Sequence, residues 1–585
     1  HNLSYNPDSQ LTIHNSLFTT HYFCHHSTVN LFPMSCKAFF FIAALCLPVV
    51  IRAQINPPAQ PKLIVGIVVD QMRYDFLYRY QSKYGSGGFK RLLSEGFSCE
   101  NTRYNYIPTY TAPGHAAIYS GTTPAVNGII GNDWWDAEWR AHRYVTTDKR
   151  YNPVGTTNNK AGQHSPSVLL STTVTDELRL SNNFKSKVVG VCLKDRASIL
   201  PAGHIPNACY WFDDSSGNWI TSSYYPDSMG LPQWVQDFNA RRLPEKYLSK
   251  PWTIDSTIRY DESFAGWDKY NNGKYGNFPG SLPYNLPELR KSEGLGVIRF
   301  TPMGNTLTVD FALETIEKMG LGADEVPDFL CLSFSSTDYC AHQFGIHGEE
   351  TEDVYLKLDR EIARILDFLD KKFGKNNVLV FLTADHGGGE TPVHLNDLRI
   401  PAGVFEESKL EANLENMLAV QLGAGGDFIH DVSNQQIWLN WEAINDLDME
   451  PEEVAHVAIE YLRMQKGVYD AFTRDEVMSY PIEFPFAAET RRGIHPRRSG
   501  DIIFQLDPAW HSDDNLFKSG GATHGSPYAY DTHVPLLWQG WKVPHGVSHT
   551  PVNITDIAPT LSAMLHIAEP NGTTGQVIEA LMQQK

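Results

Sequence analysis

A handful of residues in this chain have the types and placing to do chemistry together. Asp385 and His386 close the stretch VLVFLTADHGGGE at 378–390. A carboxylate beside an imidazole suits a divalent metal such as zinc. Asp70 closes KLIVGIVVD at 62–70, and Asp338 closes DFLCLSFSSTD at 328–338, with His342 four residues on. If the chain turns helical there, Asp338 and His342 share one face. Lys194 and Arg196 follow the apolar run KVVGVCL at 187–193. Read as strand residues they point the same way, because side chains alternate, and they would clamp an anion. Thr111 stands in TYTAPGHAAIYS at 109–120, where Pro113 suits the first turn of a helix. Free N–H groups at such an end favour an anion, though a Thr there is most often only a cap. Asn132 sits in the turn NGIIGNDWW at 127–135, and His524 in the glycine-rich ATHG at 522–525. Three Asp and three His are enough for two divalent metals. Thr111 and the two cations add what phosphoryl transfer needs: a positioned nucleophile and positive charge for the phosphate oxygens.

These groups fall where a particular fold would put them. Unbroken runs of β-branched and large apolar residues suit strands buried on both faces, as in a parallel sheet covered by helices. In open α/β sheets the chemistry lies just beyond the carboxyl ends of the strands. The expected fold is therefore α/β, with a mostly parallel central sheet flanked by helices and two inserted segments capping the active face. Helical patterns are expected at 75–93, 171–180, 306–319 and 353–371, the last with Val354, Leu358, Ile362, Ile365 and Leu369 on one stripe. Core segments are expected at 54–200, 300–395 and 499–585. A segment rich in Trp, Tyr, Asn, Pro and Gly interrupts them at 201–299, and a second at 396–498. DIIFQL at 501–506 is expected to resume a core strand.

The front of the chain reads as an address. From Met34 a short basic start leads into the apolar Ala38–Val50 and then Arg52-Ala53. That run is too short to span a membrane and fits a signal peptide cleaved near Ala53. Residues 1–33 are expected to be upstream sequence outside the working protein. The expected location is the periplasm or the exterior, with no stable membrane span after cleavage. A formal net charge of −19 among 585 residues argues against nucleic acid as a partner. Five cysteines follow Ala53, without CxxC spacing, so no thiolate metal site is signalled and at least one thiol stays free.

The motifs together resemble the alkaline phosphatase superfamily, and within it the bacterial PafA-type phosphatases that use a threonine nucleophile. They are VVDQMR at 68–73, TYTAPGH at 109–115, GNDWW at 131–135, LKDR at 193–196, STDYCAH at 336–342, TADHG at 383–387 and ATHG at 522–525. The resemblance runs from about Lys62 to about Leu565. It implies hydrolysis of small-molecule phosphate monoesters through a phospho-threonine, with two zinc ions per chain and a monomer expected rather than an oligomer. Carried over by motif, Thr111 is the nucleophile and a ligand of the first zinc, with Asp70, Asp385 and His386. Asp338, His342 and His524 hold the second zinc. Asn132, Lys194 and Arg196 bind the phosphate oxygens. A phosphodiesterase of the same superfamily is the nearest rival, disfavoured by the two cations, which suit a monoester dianion. A sulfatase would need Cys or Ser at Thr111. A non-catalytic phospho-ligand-binding protein is the reading from another class.

Overall fold

The computed structural model describes residues 60–226, 230–260, 274–275, 278–279, 281–479, 484–512 and 521–583. The segments expected upstream (1–33) and as a signal peptide (34–53) lie outside the described residues. The apolar runs build a ten-stranded sheet. In chain order its strands are β1 (Leu63–Val69), β2 (Phe97–Cys99), β3 (Pro153–Val154), β4 (Val188–Val191), β5 (Ala208–Asp213), β6 (Asn218–Ser222), β7 (Asp328–Phe334), β8 (Val378–Thr383), β9 (Leu536–Gly540) and β10 (Gly546–Ser548). In space they run β10-β2-β9-β8-β1-β7-β4-β5-β6-β3. The five central strands, β8, β1, β7, β4 and β5, are parallel. The pairs β8–β9, β9–β2, β5–β6 and β6–β3 are antiparallel. Leu63 faces Asp328 on one side and Val378 on the other, so β8, β1 and β7 keep level and finish at one edge. All three are buried along their whole length, which is why they read as continuous apolar runs.

Five of the helices carry side chains of the site or back the elements that do: α1 (Thr111–Ser120), α2 (Asp195–Ala202), α3 (Pro302–Lys318), α4 (Ser336–Phe344) and α5 (Glu349–Phe373). In α5 the expected stripe Val354, Leu358, Ile362, Ile365 and Leu369 is buried. Its first turn carries Glu349, Glu350 and Glu352 and its last Lys371 and Lys372, charges that oppose the helix dipole. The helix expected over 75–93 is two short ones, Phe76–Arg79 and Phe89–Glu95. Three glycines in GSGG (85–88) interrupt it, each costly in a helix interior. The Asp359 carboxylate takes the freed N–H groups of Gly85 and Phe89, each at 2.7 Å.

Three expectations need correction. The strand before Lys194 stops at Val191, and Lys194 is the N-cap of α2 with Arg196 in its first turn, so strand alternation is not what orients the two cations. The segment 201–299 is not wholly an insertion: its residues Ala208–Asp213 and Asn218–Ser222 pair into the main sheet, and Trp211, Trp219 and Trp252 belong to the main core. DIIFQL does not rejoin the main sheet. Ile502–Leu506 pairs antiparallel with Gln436–Leu439 and Val468–Thr473 in a separate four-stranded sheet with Ile429–Ser433. With the helices Glu407–Leu422 and Pro451–Arg463 that sheet encloses its own apolar cluster, Leu414, Ile437, Val454, Ile459 and Phe504 among it. The five described cysteines are buried and unpaired with each other.

The buried stripe of α5 sets a stability test. Leu358→Ala deletes a fully buried side chain and should cost about 2–5 kcal/mol in denaturant unfolding. Lys371→Ala, on the exposed side of the same helix, should cost less than about 1 kcal/mol. Equal losses would mean that α5 is not held by that stripe.

Candidate active site

Two triplets of ligand-type side chains meet at the carboxyl edge of the central strands. Asp70, Asp385 and His386 offer one atom each within 4.8 Å of one another, and so do Asp338, His342 and His524. Asp70 follows β1 and Asp385 follows β8, its neighbour; Asp338 lies in the first turn of α4, directly after β7. Asp338 and His342 share a helix face as expected, with His342 Nε2 at 3.1 Å from Asp338 Oδ1. The rings of His386 and His524 stack at 3.5 Å, so the two triplets share a wall.

The backbone decides which nitrogen each ring presents. His386 Nδ1–H donates to Gly387 O at 2.9 Å, and His524 Nδ1–H to Thr109 O at 2.7 Å. A carbonyl only accepts, so Nε2 carries the lone pair in both rings. His386 Nε2 then faces Asp70 Oδ1 at 3.5 Å and Asp385 Oδ2 at 3.7 Å, and all three atoms are buried without a hydrogen bond. Acceptor atoms converging in this way fit a cation between them and little else. The electrostatics agree. Burial, then the charge of Asp338, pushes the Asp70 carboxyl up to about 6, and burial with Asp70 beside it raises Asp385 well above the usual range. Burial pushes His386 down to about 3 and lowers His524, keeping both neutral as metal ligands must be. Burial also works against ionised Asp338, but His342 and Lys194 outweigh it and hold that carboxyl well below its ordinary value.

Thr111 is the first residue of α1, after the N-cap Tyr110. It opens on a cleft of about 260 Å³ that Asn132, Lys194, Arg196, Asp338, His342 and His524 also line. The N–H of Ala112, at the helix end, is not left for an anion: it donates to Asn132 Oδ1 at 2.9 Å. That bond occupies the amide oxygen, so Asn132 can present only its NH2 group. Arg196 Nη2 lies 3.5 Å from Thr111 Oγ1, while its Nη1 donates to Tyr144 Oη at 2.9 Å. Tyr144 in turn donates to Asp195 Oδ1 at 2.9 Å. Lys194 Nζ sits between the triplets, 2.6 Å from Asp70 Oδ2 and 2.5 Å from Asp338 Oδ2. One ammonium and one guanidinium do not balance three buried carboxylates, which again favours added cations.

Every side chain singled out from sequence thus lies in or beside one cleft. Sequence reasoning missed Tyr144, which steadies Arg196 across 52 residues of chain and sits in no motif. It gave His115 no part in the site. His115 Nδ1–H donates to Thr111 O at 2.8 Å, its Nε2 takes the Ser333 hydroxyl at 2.9 Å, and Nδ1 lies 3.3 Å from Asp385 Oδ2. Its place four residues after Thr111 on a helix was the available signal. The outer wall holds Glu407, Ser433 and Asn434, all from the second inserted segment, with Asn434 Nδ2 donating to Asp133 O at 2.6 Å. Among the described residues none of 201–299 lines the cleft, contrary to the expected cap, because its aromatics serve the main core.

Comparison with known proteins points the same way. A family model, type I phosphodiesterase / nucleotide pyrophosphatase, matches residues 64–527. The chain belongs to this family. It is 42% identical over 528 residues to alkaline phosphatase PafA of Elizabethkingia meningoseptica, covering 89% of this chain and 95% of that one. It is 41% identical over 529 residues to alkaline phosphatase PhoV of Synechococcus elongatus, covering 90% and 94%. A protein of Myroides odoratus named as a calcium-transporting ATPase is 43% identical over 528 residues, covering 90% and 95%. No helix among the described residues is long and apolar enough to cross a membrane. A crystal structure of wild-type PafA superposes with a TM-score of 0.85 at 41% identity, covering 90% of this chain and 99% of that one. The chain is a metal-binding alkaline phosphatase of the PafA type, a hydrolase of phosphate monoesters.

The closeness of α1 to β8 tests how tightly this phosphatase site is set. A methyl group at Gly114 would stand 2.2 Å from Asp385 O and 2.8 Å from Asp385 Cβ. Gly114→Ala should therefore push Thr111 away from the first triplet, costing about 1–3 kcal/mol and at least tenfold in kcat. Melting curves and turnover of an aryl phosphate read both; unchanged kcat would show that the approach is not needed.

Proposed function

We propose that this phosphatase works at two zinc ions, with Thr111 as nucleophile and a phospho-threonine as intermediate. The observation that carries the reading is Thr111 opening on a cleft walled by Asp338, His342 and His524 and by Arg196, whose Nη2 is 3.5 Å from Thr111 Oγ1, with the first triplet directly behind it where the His386 ring stacks on His524 at 3.5 Å. Asp70, Asp385, His386 and the Thr111 hydroxyl would hold one ion, and Asp338, His342 and His524 the other. Carboxylate and imidazole donors with no thiolate among them suit zinc, and the five described cysteines are spent in the core. When bound, such ions lower the pKa of a hydroxyl and stabilise charge on the attacking and departing oxygens.

The chain's own groups do the rest. His115 holds the Thr111 carbonyl, and Asp385 accepts the Gln71 N–H at 3.2 Å, so nucleophile and ligand are fixed to neighbouring backbone. Arg196, steadied by Tyr144, and the NH2 group of Asn132 would bond the non-bridging oxygens of the phosphate and set phosphorus in line with Thr111 Oγ1. Lys194 adds a third donor from between Asp70 and Asp338. Attack forms the bond from Thr111 Oγ1 to phosphorus and breaks the ester bond, releasing the alcohol. Water then cleaves the phospho-threonine, freeing phosphate and restoring the hydroxyl. His115 is fully buried, held near a pKa of about 3 by that burial, and plays no part as a general acid. We read the single chain as the working unit, since every group of the site comes from it. We also read 34–53 as an export signal that places the enzyme in the periplasm or outside.

Thr111→Ala should lose turnover by at least a factor of about 10³ while keeping two zinc ions per chain by elemental analysis. Activity within tenfold of wild type would remove Thr111 as the nucleophile. The family model also covers phosphodiesterases, so kcat/KM for an aryl monoester should exceed that for the matching diester, and Lys194→Ala with Arg196→Ala should erase most of the difference. A wild-type preference for the diester would move the function to phosphodiesterase.

A further inference from the structure

A second cavity, of about 280 Å³, lies between the second inserted segment and the hairpin that pairs Asp133–Asp136 with Ala141–Tyr144. Among the described residues it shares none of its walls with the phosphate cleft. The turn HPRRS at 495–499 brings Arg497 and Arg498 to it, and Arg140 and Arg474 line it too. Two of the four are answered by acids. Arg140 forks onto Glu442 at 2.8 and 2.7 Å, and Arg474 lies 3.3 Å from Asp501 Oδ1. Among the described residues Arg497, which is exposed, and Arg498 make no ion pair, and Arg498 Nη1 donates instead to the neutral carbonyls Gly128 O and Val168 O, at 2.5 and 2.7 Å. Neighbouring groups feel the surplus. Burial and the charge of Arg143 push the Arg498 guanidinium down to about 10, and burial with Arg498 and Arg497 beside it pushes His495 down to about 4. In a chain of net charge −19, two uncompensated guanidiniums on one wall suit an anion.

Aromatic rings complete the cavity. Trp441 is 44% exposed, yet its ring is fixed, because its N–H bonds the Asp501 carboxylate. Trp438 Nε1 donates to Arg498 O at 2.9 Å. Trp135 is backed by His430, with ring centroids 4.4 Å apart and planes 15° from parallel. An indole anchored through its N–H offers its carbon face for contact, and so large an apolar ring left partly open marks a place where something binds. The acids matter as well. Glu442 and Asp501 line the same space, and an ionised carboxylate only accepts hydrogen bonds. A flat aromatic acid has nothing to donate to them, whereas a ring bearing hydroxyls has.

We propose that this cavity binds an acidic sugar, a pyranose carrying a carboxylate, at a site separate from the phosphatase centre. The C–H face of the pyranose packs on Trp441, its weakly positive hydrogens against the negative face of the indole. Its carboxylate takes N–H groups of Arg497 and Arg498, whose planar forks match it. Its hydroxyls donate to Glu442 and Asp501. One uronic acid residue, free or in a chain, meets all three demands. A neutral sugar leaves the guanidiniums unanswered, and an inorganic anion leaves the indole bare.

The test titrates galacturonate, as the monomer and as its trimer, into the zinc-loaded full chain by calorimetry, after dialysis against metal-free buffer. Maltotriose, a neutral sugar, is the comparison. Wild type should bind the acid saturably at millimolar concentration or below, and about fivefold more tightly than maltotriose. Trp441→Ala and Arg497→Ala, both at exposed positions, should each weaken binding about fivefold while turnover of an aryl phosphate stays within about twofold of wild type. Equal affinity for monomer and trimer supports a site for a single residue, and tighter binding of the trimer supports one that grips a chain. Absence of saturable binding to wild type overturns the proposal. So does maltotriose binding as tightly as the acid, or binding within about twofold of wild type in both variants. Competitive inhibition of turnover by the acid would put it in the phosphate cleft instead, which overturns the separate site.

Discussion

Three buried carboxylates, Asp70, Asp338 and Asp385, share one small volume, and the rest of the structure is arranged around the cost of that. Like charges this close and this dry repel, and the strain shows in Asp70 and Asp385, whose carboxyls burial and mutual charge drive upward. Positive charge has to come from somewhere. Lys194 supplies one part, with its ammonium within 2.6 Å of two of the three. The converging oxygens and imidazole lone pairs leave room for the remainder to be metal. The sheet fixes the spacing. β8, β1 and β7 are hydrogen-bonded neighbours, about 4.8 Å apart, and end level, so the groups that come after them are set side by side. A parallel sheet is a good device for this because its strand ends all face one way.

That device is also why so much of the site was legible. A strand buried on both faces has to be apolar throughout, so an Asp at its end stands out against the run before it. Asp70 and Asp385 were found in that way, just past fully buried strands, whereas Asp338, read as the end of such a strand, lies in the first turn of α4 after β7 has stopped at Phe334. What failed was reasoning that needed to know where a strand stops. Lys194 and Arg196 were read as alternating strand residues, but the chain leaves β4 at Val191 and both cations belong to the start of α2. Arg196 reaches the cleft because Tyr144 draws it there, not because of its parity with Lys194.

Pairing between distant segments was the other blind spot. The stretch 208–222 looked like an insertion because its aromatic and polar composition lacks the smooth apolar run of a central strand. It adds β5, parallel to β4, and then β6, antiparallel to β5, toward one side of the sheet, where the pattern can be looser. Ile502–Leu506 has the run of a core strand, yet it completes the sheet of the second segment. Composition marked Ile502–Leu506 as a strand but could not tell which sheet would claim it, and it did not mark 208–222 as strands at all. Tyr144 acts only through contacts, so no local pattern marks it as part of a site, while His115 was marked only by its place four residues after Thr111 on a helix.

The second segment has its own sheet and its own apolar cluster, but it is not loosely attached. Trp438 packs in the cluster that includes Ala112 and Ala116 of α1, and Arg498 donates to Val168 O at 2.7 Å. Asn434 bonds the backbone of the residue next to Asn132. The cleft therefore has an inner wall made by the strand ends, which carries the ligand triplets, and an outer wall made by a separate body. The two are built from different cores. Substitutions in the outer body can reshape what lies beyond the phosphate without moving Asp70, Asp338 or Asp385, because none of those side chains takes its position from it. Freedom of this kind is limited at Trp438 and Asn434, where the outer body touches the nucleophile helix and the Asn132 turn, and a change there would be felt by the chemistry itself.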